Sequence, residues 1–156
     1  LYQIGRVLEI QYGHLKYLAL FLVSGFSGIV FSFAFTPNPA LGSSTAVFGL
    51  LAAYGIFAWQ NQDVFGERAT RTFTNVAIMA AFNFILGFSP GIDNWGHLGG
   101  FIGGAIISWF GGVKYAVEGF PPDLKVVNTR TNSLFFGILF VVAAGAFIMA
   151  AIVYIL

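Results

Sequence analysis

A serine and a histidine each open a short glycine-flanked segment of otherwise apolar residues. Ser44 lies in Gly42-Ser43-Ser44-Thr45-Ala46-Val47-Phe48-Gly49, and His97 in Gly96-His97-Leu98-Gly99-Gly100-Phe101-Ile102-Gly103-Gly104. A serine hydroxyl is a weak nucleophile until an adjacent base takes its proton, and a neutral imidazole does this near pH 7. If the two side chains meet, covalent hydrolytic chemistry follows. No aspartate is placed to complete a triad, because Asp93 reads as part of the loop before His97, so a dyad is the economical arrangement. Bland roles compete with this one. Serine is a preferred N-cap, so Ser44 or Ser43 could simply cap a helix. His97 carries the stronger signal, since an ionisable group in an apolar membrane segment is costly.

The rest of the composition says where such chemistry would happen. Of 156 residues, 58% are hydrophobic and only 8% are charged. Soluble domains carry about 25% charged residues, so this chain belongs in a lipid bilayer. Its 19 Phe and 20 Gly suit membrane helices. A net charge of +1 makes no electrostatic case for nucleic acid. The absence of cysteine excludes disulfides and thiolate chemistry. Two histidines without nearby carboxylates do not make a zinc site, and no cofactor is expected.

The elements that must position Ser44 and His97 are apolar helices. Leu1–Tyr12 is too short to cross a bilayer, which takes about 20 residues, and reads as the end of a helix that starts before residue 1. Five further segments follow: His14–Phe35, Ser44–Gln60, Thr72–Phe88, Gly96–Phe110 and Asn132–Leu156. Their breakers are Thr36-Pro37-Asn38-Pro39, the polar run 60–71, Ser89-Pro90-Gly91, and the stretch 111–130 with Pro121-Pro122. The expected fold is an all-α polytopic bundle of five full transmembrane helices plus the end of a preceding one.

If successive segments alternate in direction, Arg6, Lys16, Arg68, Arg71, Lys114, Lys125 and Arg130 all fall on one side. That makes the basic side cytoplasmic and puts loops 36–43 and 87–95 outside. Ser44 and His97 then begin their helices at the same depth, near the outer leaflet. Small residues allow close helix approach. The His97 helix offers Gly96, Gly100 and Gly104 at four-residue spacing, beside Gly99 and Gly103. The Ser44 helix offers Thr45, Gly49, Ala52 and Ala53. Packing these faces together would bring the hydroxyl and imidazole side by side. Elsewhere, Trp59, Trp95 and Trp109 read as interfacial belt residues, Asn75 and Asn83 as bonds between helices, and Glu9 and His14 as polar residues at helix ends.

With Gly42-Ser43-Ser44 opening one helix and His97-Leu98-Gly99-Gly100 opening another two helices later, the chain resembles the rhomboid intramembrane serine proteases. The run Pro90 to Gly100 is similar to the same stretch in many bacterial members. Gly5, Glu9 and Gly13 on one face resemble the end of that family's second helix, and the last segment resembles an extra seventh helix. The resemblance implies one rhomboid-like membrane domain over 1–156, lacking the first helix and most of the second, in a bacterial plasma membrane. It implies Ser44 as nucleophile, His97 as general base, Phe48 packed against the histidine, and Gly42 leaving backbone room around the serine. Thr45 stands where the family usually has glycine, and the family's His-x-x-x-Asn oxyanion element is absent. The implied activity is a serine-type endopeptidase that cuts single-pass transmembrane proteins near the outer leaflet. The alternative is an inactive relative that binds or scaffolds other membrane helices. A small transporter is a third reading, disfavoured by the near absence of ionisable residues in the spans. The oligomeric state and the substrate are not readable from the residues.

Overall fold

The computed structural model describes residues 2–36 and 42–155. Pro37 and Pro39, read from sequence as part of a loop beside the site, lie outside the described residues. The described part is a helical bundle: α1 (Tyr2–Tyr12), α2 (His14–Phe35), α3 (Ser44–Gln60), α4 (Gln62–Phe65), α5 (Glu67–Leu86), α6 (Asn94–Gly111) and α7 (Asn132–Ile155). A two-stranded antiparallel hairpin, β1 (Tyr115–Glu118) with β2 (Lys125–Asn128), joins α6 to α7.

The expected helical bundle is therefore present, with three differences from the sequence reading. The fifth helix begins at Glu67 rather than Thr72: its first turn is polar and exposed apart from buried Ala69. Gly66, with φ 57°, makes the turn into it, Glu67 suits the positive helix start, and Arg71 donates to Glu67 across one turn. The polar run also holds the single turn α4. The 111–130 stretch folds as the hairpin rather than as a plain loop. α2 and α7 are each long and apolar enough to cross a membrane, whereas α3, at 17 residues, is shorter.

α3 and α6 lie at the centre, with α2 packed on both, α5 against α3, and α7 against α2 and α6. The core clusters at the end where the basic residues gather. There Leu8, Tyr12, Leu20, Leu50, Phe57, Ile107 and Phe135 are buried together, and the Lys16 ammonium sits 5.5 Å from the Phe135 ring centre. Polar bonds close this end. Asn61, fully buried, donates to the carbonyls of Phe57 and Val113 and accepts from the Tyr115 N–H at 2.6 Å. Arg130 donates to the Ser108 and Gly112 carbonyls at the end of α6, where the last carbonyls lack full helical partners. Glu9 bonds His14 at 2.7 Å, linking α1 to α2 as the sequence reading expected of a helix-end anchor. Trp59 and Trp109 stack on each other here.

The opposite end carries Ser44, His97 and the turn between α5 and α6. There Asn94 donates to the Phe84 carbonyl, tying the start of α6 to α5. Asn83 does not bridge helices as expected; it donates to the Met79 carbonyl of its own helix.

Candidate active site

The close approach of α3 to α6 depends on glycine. A methyl group on Gly100 would strike the Thr45 carbonyl, and one on Gly104 would strike the Gly49 carbonyl. Backbone thus lies directly on backbone, which only residues without a Cβ allow. The glycines of α6 divide into two rows. Gly100 and Gly104 face α3, whereas Gly99 and Gly103 face Phe31, Ser27 and Ser24 of α2. α2 contributes small residues that the sequence reading missed: Gly28 lies against Thr45 and the Gly96 carbonyl, and Ser24 against Gly49. Their signal was there, since Ser24, Gly25, Ser27, Gly28 and Ser32 all fall on the buried side of α2.

This packing brings the two chemical groups together. His97 Nε2 lies 3.1 Å from Ser44 Oγ. Ser44 is exposed, while His97 is only 9% exposed. The imidazole is stacked on the Phe48 ring, with centroids 4.2 Å apart and planes 15° from parallel. Phe84 backs Phe48 at 4.9 Å. Neither Ser43 nor Ser44 caps α3 through its side chain: Ser43, the residue before the helix, makes no such bond, and the Ser44 hydroxyl meets the imidazole instead. A Cβ on Gly42 would stand 3.5 Å from Ser44 Oγ, so glycine there leaves the hydroxyl uncovered on that side.

Thr45 does not crowd the serine. Its hydroxyl donates to the Gly42 and Gly25 carbonyls at 3.3 and 3.4 Å. Its methyl sits in the notch between Gly28 and Gly96. The side chain is buried, a wedge shared by α2, α3 and α6.

Asp93 is the N-cap of α6 rather than a partner of His97. Its Oδ1 accepts from the Gly96 N–H at 3.0 Å and from the Thr36 hydroxyl at 3.1 Å. Burial alone would raise its pKa, but Ser32 nearby, the Gly96 amide and Thr36 outweigh burial and hold it below its ordinary value. Ser32 Oγ and Asp93 Oδ2 nonetheless fall short of hydrogen-bond geometry with any group, as does His97 Nδ1. Among the described residues, no third side chain joins the Ser44–His97 pair at Nδ1.

A family model described as "Rhomboid domain" matches residues 1–114. The chain belongs to the rhomboid family. It is 39% identical to rhomboid protease GluP of Bacillus subtilis (strain 168) over 106 residues, 67% of this chain and 20% of that protein. It is 34% identical to RHOMBOID-like protein 4 of Arabidopsis thaliana over 107 residues, 68% of this chain and 27% of that protein. It is also 32% identical to inactive RHOMBOID-like protein 8 of Arabidopsis thaliana over 100 residues, 64% of this chain and 28% of that protein. The matched part therefore spans less than a third of each relative. As a rhomboid with two long apolar helices, this is an integral membrane protein. The family holds proteases and inactive members alike, and the rhomboid match ends at residue 114, so the hairpin and α7 lie beyond it.

Proposed function

We propose that this rhomboid is an intramembrane serine endopeptidase with Ser44 as nucleophile and His97 as general base. The observation that carries the reading is the 3.1 Å approach of His97 Nε2 to Ser44 Oγ, with the ring clamped on Phe48. Nε2 accepts the Ser44 proton as Oγ attacks a peptide carbonyl carbon, and the tetrahedral intermediate carries its charge on the former carbonyl oxygen. Backbone N–H groups of the first turn of α3, starting with Ser44, have no partner within the helix and carry partial positive charge. Each such donor is worth about 3–4 kcal/mol of barrier. The imidazolium then gives its proton to the leaving amine. In the second half, His97 deprotonates a water that attacks the acyl-enzyme; the bond from Ser44 Oγ to the acyl carbon breaks, Oγ takes the proton back from His97, and the carboxylic product leaves.

In this reading α2, α3, α5, α6 and α7 cross the membrane, the basic end is cytoplasmic, and the dyad lies just below the outer surface. The substrate is a single-pass membrane protein whose helix unwinds locally, because a folded helix hides its carbonyls. The full-length protein in vesicles should cleave a model transmembrane substrate. Ser44→Ala and His97→Ala should each reduce the rate at least about a thousandfold, as expected for residues acting as one unit. Cleavage that survives both changes would refute the assignment.

A second reading, an inactive rhomboid that binds membrane helices, is favoured by the likeness to an Arabidopsis thaliana protein named inactive. It predicts a folded protein that cleaves nothing and whose Ser44 is unreactive.

A further inference from the structure

The hairpin between α6 and α7 has no part in the Ser44–His97 pair, yet it exposes four large apolar side chains among its charged ones. Val117 is 52% exposed, Val126 57%, Leu124 53% and Phe120 88%. From the register, Val117 pairs with Val126, and Tyr115 pairs with Asn128 two residues along. Alternate residues of a strand share a face, so Tyr115, Val117 and Val126 lie on one side of the hairpin. Glu118 and Lys125, paired with each other, lie on the other.

Tyr115 fixes where the apolar side points. Its ring packs edge-on against Phe57 at 6.2 Å and Phe65 at 6.0 Å. Its hydroxyl donates to Gln11 at the end of α1. Its N–H is held by buried Asn61. The Tyr115 face is therefore turned toward the helix ends, and Val117 and Val126 extend the same face past the edge of the bundle. Where α7 crosses the bilayer, lipid would border that edge.

We infer that the hairpin is an interfacial anchor: its Val117, Val126, Phe120 and Leu124 surface rests in the headgroup and upper acyl region of the bilayer at the basic end. Continuity supports this occupant, because Phe65, beside Tyr115, is itself partly exposed and carries the apolar surface of the bundle to the hairpin. Charge agrees with it. Lys114, just before β1, and Lys125, the first residue of β2, are both exposed, and all seven Lys and Arg of the chain gather at this end by the alternation of the helices. Such side chains favour anionic headgroups near a membrane surface. The anchor would hold the cytoplasmic ends of α1, α3 and α6 through Tyr115 and Asn61. It needs only that the protein is membrane-embedded, not that Ser44 is active.

Residues 1–156 hold no cysteine, and any cysteine elsewhere in the full-length protein would first be replaced by serine, so that single labels can be placed. Val117→Cys, Phe120→Cys, Val126→Cys and, as a control on the other face, Glu118→Cys would each carry a bimane in the full-length protein. The vesicles would contain equal parts phosphatidylcholine and phosphatidylglycerol, with a spin label on the upper acyl chain of a fraction of the lipid. Quenching by spin-labelled lipid should be at least about threefold greater at 117, 120 and 126 than at 118, and quenching by aqueous iodide should show the reverse. Equal lipid quenching at all positions with full iodide access would overturn the inference. So would shielding from both quenchers, which would mean that a second copy or another protein covers the face.

Discussion

α6 and α7 are both glycine-bearing apolar helices, yet their glycines do opposite things. In α6, a Cβ on Gly100 or Gly104 would collide with the α3 backbone, and one on Gly99 or Gly103 would collide with α2. In α7, Gly137 and Gly145 have nothing within 4 Å of where a Cβ would stand, and the helix buries only Phe135. The lesson is that a glycine-rich helix is not by itself a packing helix. What distinguishes α6 is that its glycines recur at four-residue spacing below a chemical group and meet small residues on two neighbours. The helix that carries the histidine is held closely on two neighbours, whereas α7 lies against the bundle with most of its surface exposed.

The sharpest break in that comparison is a single methyl in each helix. Gly104→Ala should cost about 3 kcal/mol, the upper end of the range for overpacking a close contact, and should part Ser44 from His97 as α6 moves off α3. Gly145→Ala should be neutral or stabilising by up to about 1 kcal/mol, since alanine is the better helix former. Thermal unfolding in detergent measures both. Equal effects would mean that the two helices do not differ as described. Next in size is Asn61→Ala at the basic end. It strips three hydrogen bonds from a fully buried site and should cost about 2 kcal/mol, loosening the hairpin before the dyad. Hydrogen exchange that rises first in the α3–α6 contact instead would contradict this.

Thr45→Gly restores the family's usual residue but empties the notch between Gly28 and Gly96. A loss of about 1–2 kcal/mol is expected from the missing packing, with no gain in Ser44 reactivity. Thr45→Ser keeps the hydroxyl bonds and should fall between. A glycine variant that is both stable and faster would show that Thr45 obstructs the site after all.

The smallest effect concerns Asp93→Asn. Asparagine is also a good cap, so near neutral pH the unfolding temperature should barely change. The wild-type carboxyl has a folded pKa below its unfolded value, so its contribution is present above the unfolded pKa and is lost as pH falls through the folded one. The two proteins should therefore diverge only in acid, below about pH 4, the ordinary aspartate range. Thermal melts across pH test this, and divergence appearing near pH 7 would refute it.

Much of the site was legible because motif and topology gave independent constraints. Glycine flanks marked Ser44 and His97, and alternation of helices put both at one end. Four-residue glycine spacing named the face. The α2 contribution was harder to see, because Gly25 and Gly28 have meaning only once Thr45 and Gly96 are known to press on them. The hairpin was hidden by its shortness: Tyr115-Ala116-Val117 and Val126-Val127 are too brief to stand out beside spans of 20 residues. The early start of α5 was missed because apolarity marks where a helix enters lipid, not where its hydrogen bonding begins at Glu67.

The central claim is that the imidazole primes the hydroxyl, and reactivity of Ser44 toward an activated fluorophosphonate tests it most directly. The folded full-length protein should be labelled at Ser44, and His97→Ala should slow labelling at least about a hundredfold while leaving the unfolding temperature nearly unchanged. A His97→Ala protein labelled as fast as wild type, or a folded wild type that never reacts, would contradict the account.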